Sequence, residues 1–443
     1  MGRKSRTRTL NLWMNGAFVG KWIVTPAGEQ QLYYDQNWLD SSGTRPISLS
    51  LPLQPSHIPH RGKKVDFFFD NLLPDSEKIR QRIQNRFGTA SQRAFDLLSE
   101  IGRDCVGALQ IVPEEYEPAT VSKIECEQLS KKEVEQILIR TTANDLFRTG
   151  NVDDFRISIA GAQEKNALIF HQNVWAKPLG TTPSTHIFKL PLGDLRFTDM
   201  STSVENEWLC LQIMKQYGVK TADCQIAQFG TVKTLIVKRF DRKLSKEGDW
   251  IVRIPQEDFC QATGTPAGMK YESDGGPGIK KILDVLLQSE SSEVDRRIFI
   301  KTQILFWLLA ASDGHAKNFS IFLLPKGNYH LTPIYDVLSA YPVMGERSGL
   351  IHPRKIKMAM AVTGKSRHYQ WYKIRKDHWL TTASKAGVDI EVVNQIIQEI
   401  IESTPLVIET VQGIIPSGFP EFVADSILAG LEAAVRKLSD LPA

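Results

Sequence analysis

The fold of this chain is decided by Ser312-Asp313-Gly314-His315-Ala316-Lys317-Asn318, which directly follows the apolar segment 298–309. Asp313 stands five residues before Asn318, and Asp336 follows 18 residues after Asn318. The apolar segment is therefore followed by three polar residues, Asp313, Asn318 and Asp336, that could act together. This arrangement predicts a functional loop, provided that the chain brings Asp336 back to it.

The residues between Asn318 and Asp336 predict such a return. Residues 319–324 are apolar and aromatic like a strand, residues 325–328 carry the turn signal Pro-Lys-Gly-Asn, and residues 329–334 are strand-like again. A hairpin over these segments places Asp336 beside Asn318. Two residues that are distant in sequence can then share one metal ion.

The spacing is typical of a kinase catalytic loop, in which an Asp stands five residues before a metal-binding Asn and a second metal-binding Asp lies further along. The first Asp accepts the proton of the attacking hydroxyl group, and the other two residues hold the Mg²⁺ that bridges the phosphates. The pattern therefore indicates phosphoryl transfer. An alternative stays open, in which Asp313-Gly314 is a helix-ending turn and Asp336 is a surface cap, because an Asp and an Asn at this interval are common by chance.

Composition indicates an ordinary globular protein of two or three domains. The 443 residues are 42% hydrophobic and 23% charged, and a net charge of +4 is too small to indicate nucleic-acid binding by itself. The five cysteines are scattered without a C-x-x-C pair, which favours a reducing compartment over a disulfide framework or a zinc site. The basic start is followed by residues too polar for a signal peptide, and no apolar run approaches the ~18 residues that span a bilayer. We therefore expect a cytoplasmic protein with no membrane segment.

Strand and helix patterns follow one another along the chain. Residues 7–39 alternate and turn, which predicts a small sheet, and residues 112–125 have the composition of a linker. Strand patterns dominate residues 155–240 apart from a helix over 204–217, and helix patterns dominate from about residue 256.

The predicted fold class is α+β. It is a protein-kinase-like two-lobed fold, with a β-rich N-lobe and an α-helical C-lobe, preceded by a small N-terminal α/β subdomain. The predicted divisions are residues 1–115 for the N-terminal subdomain, 116–150 for the linker and lobe start, 151–245 for the N-lobe and 246–443 for the C-lobe with the catalytic loop.

Residues 155–165 are a candidate phosphate-binding loop. The small residues Ser158, Ala160, Gly161 and Ala162 let backbone N–H groups approach an anion closely. The segment matches neither a Walker A loop nor the kinase glycine-rich loop, so a plain turn remains the alternative.

Lys189 is a second candidate, because it lies in the apolar strand 187–191. Such a lysine either points outward or contacts a phosphate and an acidic partner, as the strand lysine of a kinase does. Glu205 or Glu207, on the following helix, is the expected partner.

Three further motifs are weaker. Gly364-Lys365-Ser366 ends like a P-loop, but Ala359 replaces the first glycine and no clear helix follows, so we reject that interpretation. His315 has no partner at metal-ligand spacing and is expected to order its loop. Residues 365–376 hold five basic and three aromatic residues, which is compatible with phosphate contacts to nucleic acid or with a solvated helix face.

Longer strings carry a family resemblance from the first strands almost to the C-terminus. They are residues 48–53 (SLSLPL), 69–75 (FDNLLPD), 95–104 (FDLLSEIGRD), 154–158 (DFRIS), 160–165 (AGAQEK), 270–278 (KYESDGGPG) and 313–318 (DGHAKN). On these strings the chain resembles the HipA toxin kinases of bacterial type II toxin–antitoxin systems.

The resemblance implies a serine/threonine protein kinase that uses ATP and Mg²⁺, with Asp313 as catalytic base and Asn318 and Asp336 on the metal. Ser158 matches the family's autophosphorylated serine, whose modification switches the kinase off. Lys238 departs from the acidic residue expected beside the adenine-binding backbone. The implied ATP-binding residues are Ala160, Gly161, Ala162, Gln163, Glu164, Lys165, Lys189, Lys238, Arg239, Phe240, His315, Lys317, Asn318, Tyr335 and Asp336.

The resemblance also implies partners. Family toxins phosphorylate glutamyl-tRNA synthetase, bind a small helix-turn-helix antitoxin, HipB, and repress their own operon with it. Lys373, Arg375 and Lys376 fall about where the family contacts operator DNA. Two alternatives remain: a HipA-like kinase with a different protein or small-molecule substrate, and a co-repressor with little kinase activity.

Overall fold

A computed structural model describes residues 7–116, 121–142, 163, 165–195 and 198–439 of the chain. Among these residues, none of the helices has the length and apolar character needed to cross a membrane.

The N-terminal part is an antiparallel sheet covered by helices. Its sheet has the order β4-β3-β2-β1-β5, in which β5, the last strand of this part, pairs antiparallel with β1, the first. Trp22 of the sheet stacks on Phe69 of a helix with ring centroids 3.7 Å apart, which ties the helical layer to the sheet. The elements are β1 Arg8–Met14, β2 Ala17–Val24, β3 Gln30–Tyr34, α1 Gln36–Asp40, β4 His60–Arg61, α2 Lys63–Asp70, α3 Glu77–Phe87, α4 Ala94–Ile101 and β5 Leu109–Pro113.

The middle part is a six-stranded sheet with the order β12-β13-β9-β7-β8-β6. The long helix α6 follows the sheet's central strands in sequence and is buried along most of its length, since it packs on the sheet on one side and on the C-terminal helices on the other. The elements are β6 Cys126–Gln128, α5 Lys131–Thr142, β7 Lys165–His171, β8 Val174–Pro178, β9 His186–Lys189, β10 Gly193–Leu195, β11 Thr198–Met200, α6 Ser203–Gln216, β12 Cys224–Phe229 and β13 Val232–Lys238.

The C-terminal part is mainly helical and shares its largest apolar core with α6. The elements are β14 Arg242–Leu244, β15 Ile251–Arg253, β16 Gln256–Asp258, α7 Phe259–Thr263, α8 Ile279–Leu286, α9 Ser292–Leu308, β17 Ser320–Leu323, β18 Tyr329–Leu331, β19 Lys357–Thr363, β20 Arg367–Gln370, α10 Lys376–Lys385, α11 Ile390–Ile414 and α12 Glu421–Ser439.

Several local predictions match these elements. The predicted hairpin is β17–β18, in which Ile321 pairs with Leu331. The helix predicted over 204–217 is α6. Gly364-Lys365-Ser366 forms the connection between the antiparallel strands β19 and β20, so the rejection of a P-loop there was correct.

Candidate functional site

The catalytic-loop candidate begins where α9 ends. Ten residues of this helix are buried, and the packing fixes the direction in which the chain leaves it. Gly314 lies against the Phe306 ring, where a Cβ atom would collide with the aromatic carbons. The loop can therefore lie close to the helix only with glycine at this position.

The β17–β18 hairpin brings Asp336 to the loop, as the sequence predicts. The side-chain amide of Asn318 donates to the backbone carbonyls of Asp313 and Asp336, each at 3.3 Å. Asp336 has a φ of +61°, in the left-handed region that few non-glycine residues adopt. Such strain is retained where the surrounding structure enforces it, often at functional sites.

Lys189 joins this group from β9. Its ammonium donates to the Glu207 carboxylate at 2.5 Å and to the Asp336 carboxylate at 2.8 Å. The sequence left Glu205 and Glu207 as alternatives, and the structure selects Glu207, because Glu205 pairs with Lys233 instead. We refer to Lys189, Glu207, Asp336, Asn318 and Asp313 as the Asp336 cluster.

Two members of the Asp336 cluster, Asp336 and Lys189, have pKa values shifted toward their charged forms. Burial opposes the charged form of Asp336, but Lys189 and Lys165 outweigh it and hold the pKa of that carboxyl well below its usual range. Burial also opposes the charged form of Lys189, yet Asp336 and Glu207 raise its pKa well above normal. Burial dominates at Glu207, whose pKa is raised.

The candidate phosphate loop is only partly described. Ser158, Ala160, Gly161, Ala162 and Glu164 lie outside the described residues. Its last residue, Lys165, starts β7 directly opposite Lys189 of β9, so two lysines face the same region of the sheet. The side-chain amide of Gln163 donates to the Leu190 carbonyl at 2.5 Å. Burial lowers the pKa of Lys165.

Asp313 has a partner that the sequence analysis missed. The Tyr271 hydroxyl donates to the Asp313 carboxylate at 2.5 Å, and the Tyr271 ring packs edge-on against His315 at 5.1 Å. Burial and the neighbouring carboxylate raise the pKa of Tyr271 far above normal, so the phenol keeps its proton. Burial lowers the pKa of His315 to about 3, which makes it a neutral ring that orders the loop.

Lys317 is bound by a carboxylate from the N-terminal part, and its predicted contact with ATP stays a prediction. Its ammonium donates to Asp75 at 2.6 Å, and the ammonium of Lys270 donates to the other oxygen of the same carboxylate at 2.8 Å. Asp75 does not cap the helix that follows it, because the N-cap of α3 is Ser76, whose hydroxyl accepts from the Ile79 amide. Asp75 is instead a contact between the N-terminal part and the candidate site.

The residues predicted beside adenine, Lys238, Arg239 and Phe240, lie at the end of β13 and directly after it. The backbone N–H groups of Lys238 and Arg239 donate to the Asp223 and Thr185 carbonyls, at 2.8 and 2.9 Å. The Phe240 ring lies 5.8 Å from the Tyr335 ring, which places these two predicted residues side by side. Adenine binding at this segment stays a prediction.

The Arg239 side chain belongs to a separate, buried ionic group that we call the Asp104 cluster. Its carboxylates, from Asp104 and Asp241, accept hydrogen bonds from Arg239 and Arg242. Arg253 completes the group, and burial lowers the pKa of its guanidinium to about 9. This cluster joins the N-terminal part to the strands that follow β13.

The predicted DNA-contacting residues lie at the start of α10. Lys373 and Arg375 are exposed and Lys376 is half-buried, so all three lie at the surface. Asp377 pairs with Arg375 at 2.9 Å and partly offsets the positive charge.

The donor set of the Asp336 cluster suits magnesium. The described residues contain no group of three or more His, Cys, Asp and Glu side chains that could hold a metal unaided. Mg²⁺ prefers oxygen ligands and is usually bound by one or two carboxylates together with substrate phosphates. The carboxylate of Asp336 and the side-chain carbonyl of Asn318 fit that pattern.

Comparisons with known proteins decide the family. A HipA N-terminal domain model matches residues 10–112, and a HipA-like C-terminal domain model matches residues 157–408. The chain belongs to the HipA family. The four predicted domain divisions remain predictions.

HipA relatives extend the match over the chain. The predicted kinase Y4mE of Sinorhizobium fredii is 31% identical over 404 residues, which are 90% of each protein. The serine/threonine-protein kinase toxin HipA of Shewanella oneidensis is 28% identical over 349 residues, which are 76% of each. These relatives confirm the predicted family and the class of enzyme, a kinase of a toxin–antitoxin family.

A solved HipA structure confirms the fold. The HipA chain in a complex of HipA, HipB and operator DNA from Shewanella oneidensis matches with a TM-score of 0.80 at 22% identity, over 97% of both chains. At this identity the likeness concerns the fold alone. The predicted α+β, kinase-like class is therefore confirmed.

Proposed function

We propose that this HipA-family chain is the toxin of a HipBA-type module, a serine/threonine protein kinase that uses ATP with Mg²⁺. The observation that carries the proposal is the Asp336 cluster. A strand lysine, a helix glutamate, an aspartate after a hairpin and an Asp–Asn pair on one loop are the residue types that kinases use around ATP phosphates.

Each member of the Asp336 cluster has a distinct role in the proposal. Lys189 is held by Glu207 and contacts the phosphates of ATP. Asp336 and Asn318 hold the Mg²⁺, which neutralises charge on the phosphates when it is bound. Asp313 accepts the proton of the attacking hydroxyl, and its side chain is 63% exposed, so a protein substrate can reach it.

Ser158 is proposed as an inhibitory autophosphorylation site. It precedes the small-residue loop proposed to hold ATP, and a phosphate adds about −1.5 to −2 charges. Those charges would repel the phosphates of ATP, so the modified chain should bind nucleotide poorly. Intact-mass spectrometry after incubation with Mg-ATP, followed by nucleotide titration of the modified form, tests this step. Equal affinity for ATP with and without the phosphate on Ser158 would contradict its proposed inhibitory role.

The proposed partners are a HipB-like antitoxin and, through it, operator DNA. A HipA of the same fold is assembled with both in the Shewanella oneidensis complex. Lys373, Arg375 and Lys376 are the surface residues proposed to meet DNA phosphates, which they would contact independently of sequence. The predicted cytoplasmic location belongs to the same proposal.

Glutamyl-tRNA synthetase is the proposed substrate, and transfer from radiolabelled ATP tests it. Label on the synthetase that requires Mg²⁺ supports the full proposal. If only the chain itself is labelled, the result favours the alternative of a HipA-like kinase with a different protein or small-molecule substrate. Absence of label on either, from folded protein that still binds a HipB-like antitoxin, favours a co-repressor with little kinase activity.

A further inference from the structure

Asp75 contacts the catalytic loop from the N-terminal part of the chain, since it lies in the region that the HipA N-terminal domain model covers. It lies between α2 and α3, and its side chain is only 14% exposed. Its two oxygens accept from Lys317 at 2.6 Å and from Lys270 at 2.8 Å. The two ammonium groups outweigh the opposing effect of burial and lower the pKa of Asp75 to about 2, so the carboxylate is charged at any physiological pH.

Each lysine that Asp75 holds is followed directly by a residue of the site. Lys317 precedes Asn318, whose amide group donates to the carbonyls of both Asp313 and Asp336. Lys270 precedes Tyr271, whose hydroxyl donates to the Asp313 carboxylate.

The two segments that Asp75 holds are also joined to each other. The Ala316 amide, in the catalytic loop, donates to the Lys270 carbonyl at 3.2 Å. One carboxylate from the N-terminal part therefore restrains both the loop that carries Asn318 and the segment that contacts Asp313.

We propose that Asp75 is a positioning residue for phosphoryl transfer: it fixes the catalytic loop through Lys317 and the Asp313 carboxylate through Lys270 and Tyr271. This inference rests on the proposed kinase function. It makes the N-terminal part a component of the catalytic apparatus, because the loop without Asp75 lacks its buried counter-charge.

Asp70 provides a matched control from the same segment. Its carboxylate pairs with Arg80 at 2.6 Å, within the N-terminal part and without contact to the catalytic loop. Asp75→Asn and Asp70→Asn each remove one negative charge and keep the side chain's size. Only the first removes the restraint on the loop.

Steady-state kinetics of full-length variants test the proposal. A misplacement of reacting groups by about 1 Å costs roughly 10²-fold in rate, so Asp75→Asn should lower kcat by up to that factor. The KM for ATP is measured alongside kcat, because Asp75 also holds Lys317, one of the implied ATP-binding residues. A positioning role predicts that kcat falls by a larger factor than the KM for ATP rises. Asp75→Glu should restore much of kcat, and Asp70→Asn should behave like the wild type.

Two kinetic outcomes would overturn the proposal: wild-type kcat in Asp75→Asn, or equal losses in Asp75→Asn and Asp70→Asn, which would indicate general destabilisation of the N-terminal part.

Amide hydrogen exchange tests the positioning role of Asp75 without relying on kinase activity. Peptides covering residues 270–276 and 312–318 should exchange faster in Asp75→Asn than in the wild type, and at wild-type rates in Asp70→Asn. Unchanged exchange in Asp75→Asn would refute the positioning role even if the chain is a kinase. If the wild type transfers no phosphate, the proposed function fails, and the exchange result still decides whether Asp75 orders the loop.

Discussion

The Asp104 cluster and the Asp336 cluster are both groups of ion-paired side chains, but they differ in how far their carboxylates are exposed. In the Asp104 cluster, all five side chains are at most 7% exposed, and the carboxylates are surrounded by guanidinium, hydroxyl and backbone donors. In the Asp336 cluster, Asp336 is 28% exposed and Asp313 is 63% exposed.

Backbone conformation separates the two clusters further. Asp336 has a left-handed φ of +61°, whereas none of the five residues of the Asp104 cluster has a positive φ. The Asp104 cluster serves to hold segments together, because its two carboxylates are already bound by donors of the protein. In the Asp336 cluster, the exposed carboxylates of Asp336 and Asp313 can still bind a ligand. The presence of ion pairs is therefore not enough to identify a functional site; the exposure of their carboxylates is also needed.

The largest expected effect comes from Asp336→Asn. Asn keeps the size of Asp and tolerates the left-handed conformation, so the fold should persist. Loss of the carboxylate removes the charged metal ligand and should lower Mg²⁺-dependent phosphoryl transfer on the order of 10³-fold. Transfer rates over a Mg²⁺ titration check this, with melting temperature as the control. An unchanged Mg²⁺ dependence would show that the hairpin does not build a metal site.

Asp104→Ala should lower the stability of the fold and leave phosphoryl transfer nearly unchanged, which is the opposite of Asp336→Asn. Removing one partner of a buried ionic group leaves uncompensated charge and typically costs about 3–5 kcal/mol of unfolding free energy. At saturating ATP, transfer per folded molecule should stay near the wild-type rate, because Asp104 has no contact with the Asp336 cluster. Chemical denaturation measures the loss. The exposed pair Arg436–Glu432 is the control, since Glu432→Gln should cost no more than about 0.5 kcal/mol.

Glu257 is a buried carboxyl with no ionic partner among the described residues, and its substitution should have a smaller, pH-dependent effect on stability. It is fully buried, accepts from the Leu49 amide at 2.7 Å, and burial raises its pKa to about 8. The protonated form stabilises the fold below the unfolded-state pKa of about 4.3, and this contribution is lost as pH rises through about 8.

Glu257→Gln removes that titration and keeps the acceptor oxygen. Relative to the wild type, the variant should therefore gain stability as pH rises from about 5 to about 8, on the order of 2 kcal/mol. Melting temperatures across that range, with Glu432→Gln as an exposed control, test the sign. A difference that does not change with pH would mean that Glu257 is ionised in the folded chain.

The sequence predicted the parts of the site that depend on local pattern. Two strand-like segments with the turn Pro-Lys-Gly-Asn between them predict the β17–β18 hairpin, and Asp336 lies beside Asn318 after that hairpin. The position of Lys189 within a buried strand was likewise visible. Its partner could not be chosen between Glu205 and Glu207, because the buried helix α6 presents apolar neighbours on every side and gives no clear facing direction.

Contacts between distant segments had no local signal. Asp75 is 242 residues from Lys317, and Tyr271 is 42 residues from Asp313. An Asp just before a helix, as Asp75 is before α3, is commonly an N-cap. Tertiary packing overrode it by placing two lysines against Asp75.

The most direct test of the account compares phosphoryl transfer by the wild type and Asp313→Asn. The central claim is that the Asp336 cluster carries out kinase chemistry, with Asp313 as the base. Asp313→Asn should lower transfer at least ~10²-fold, a typical general-base contribution, with an unchanged melting temperature and loss of growth arrest on expression. An Asp313→Asn protein that is as active as the wild type would contradict the kinase assignment.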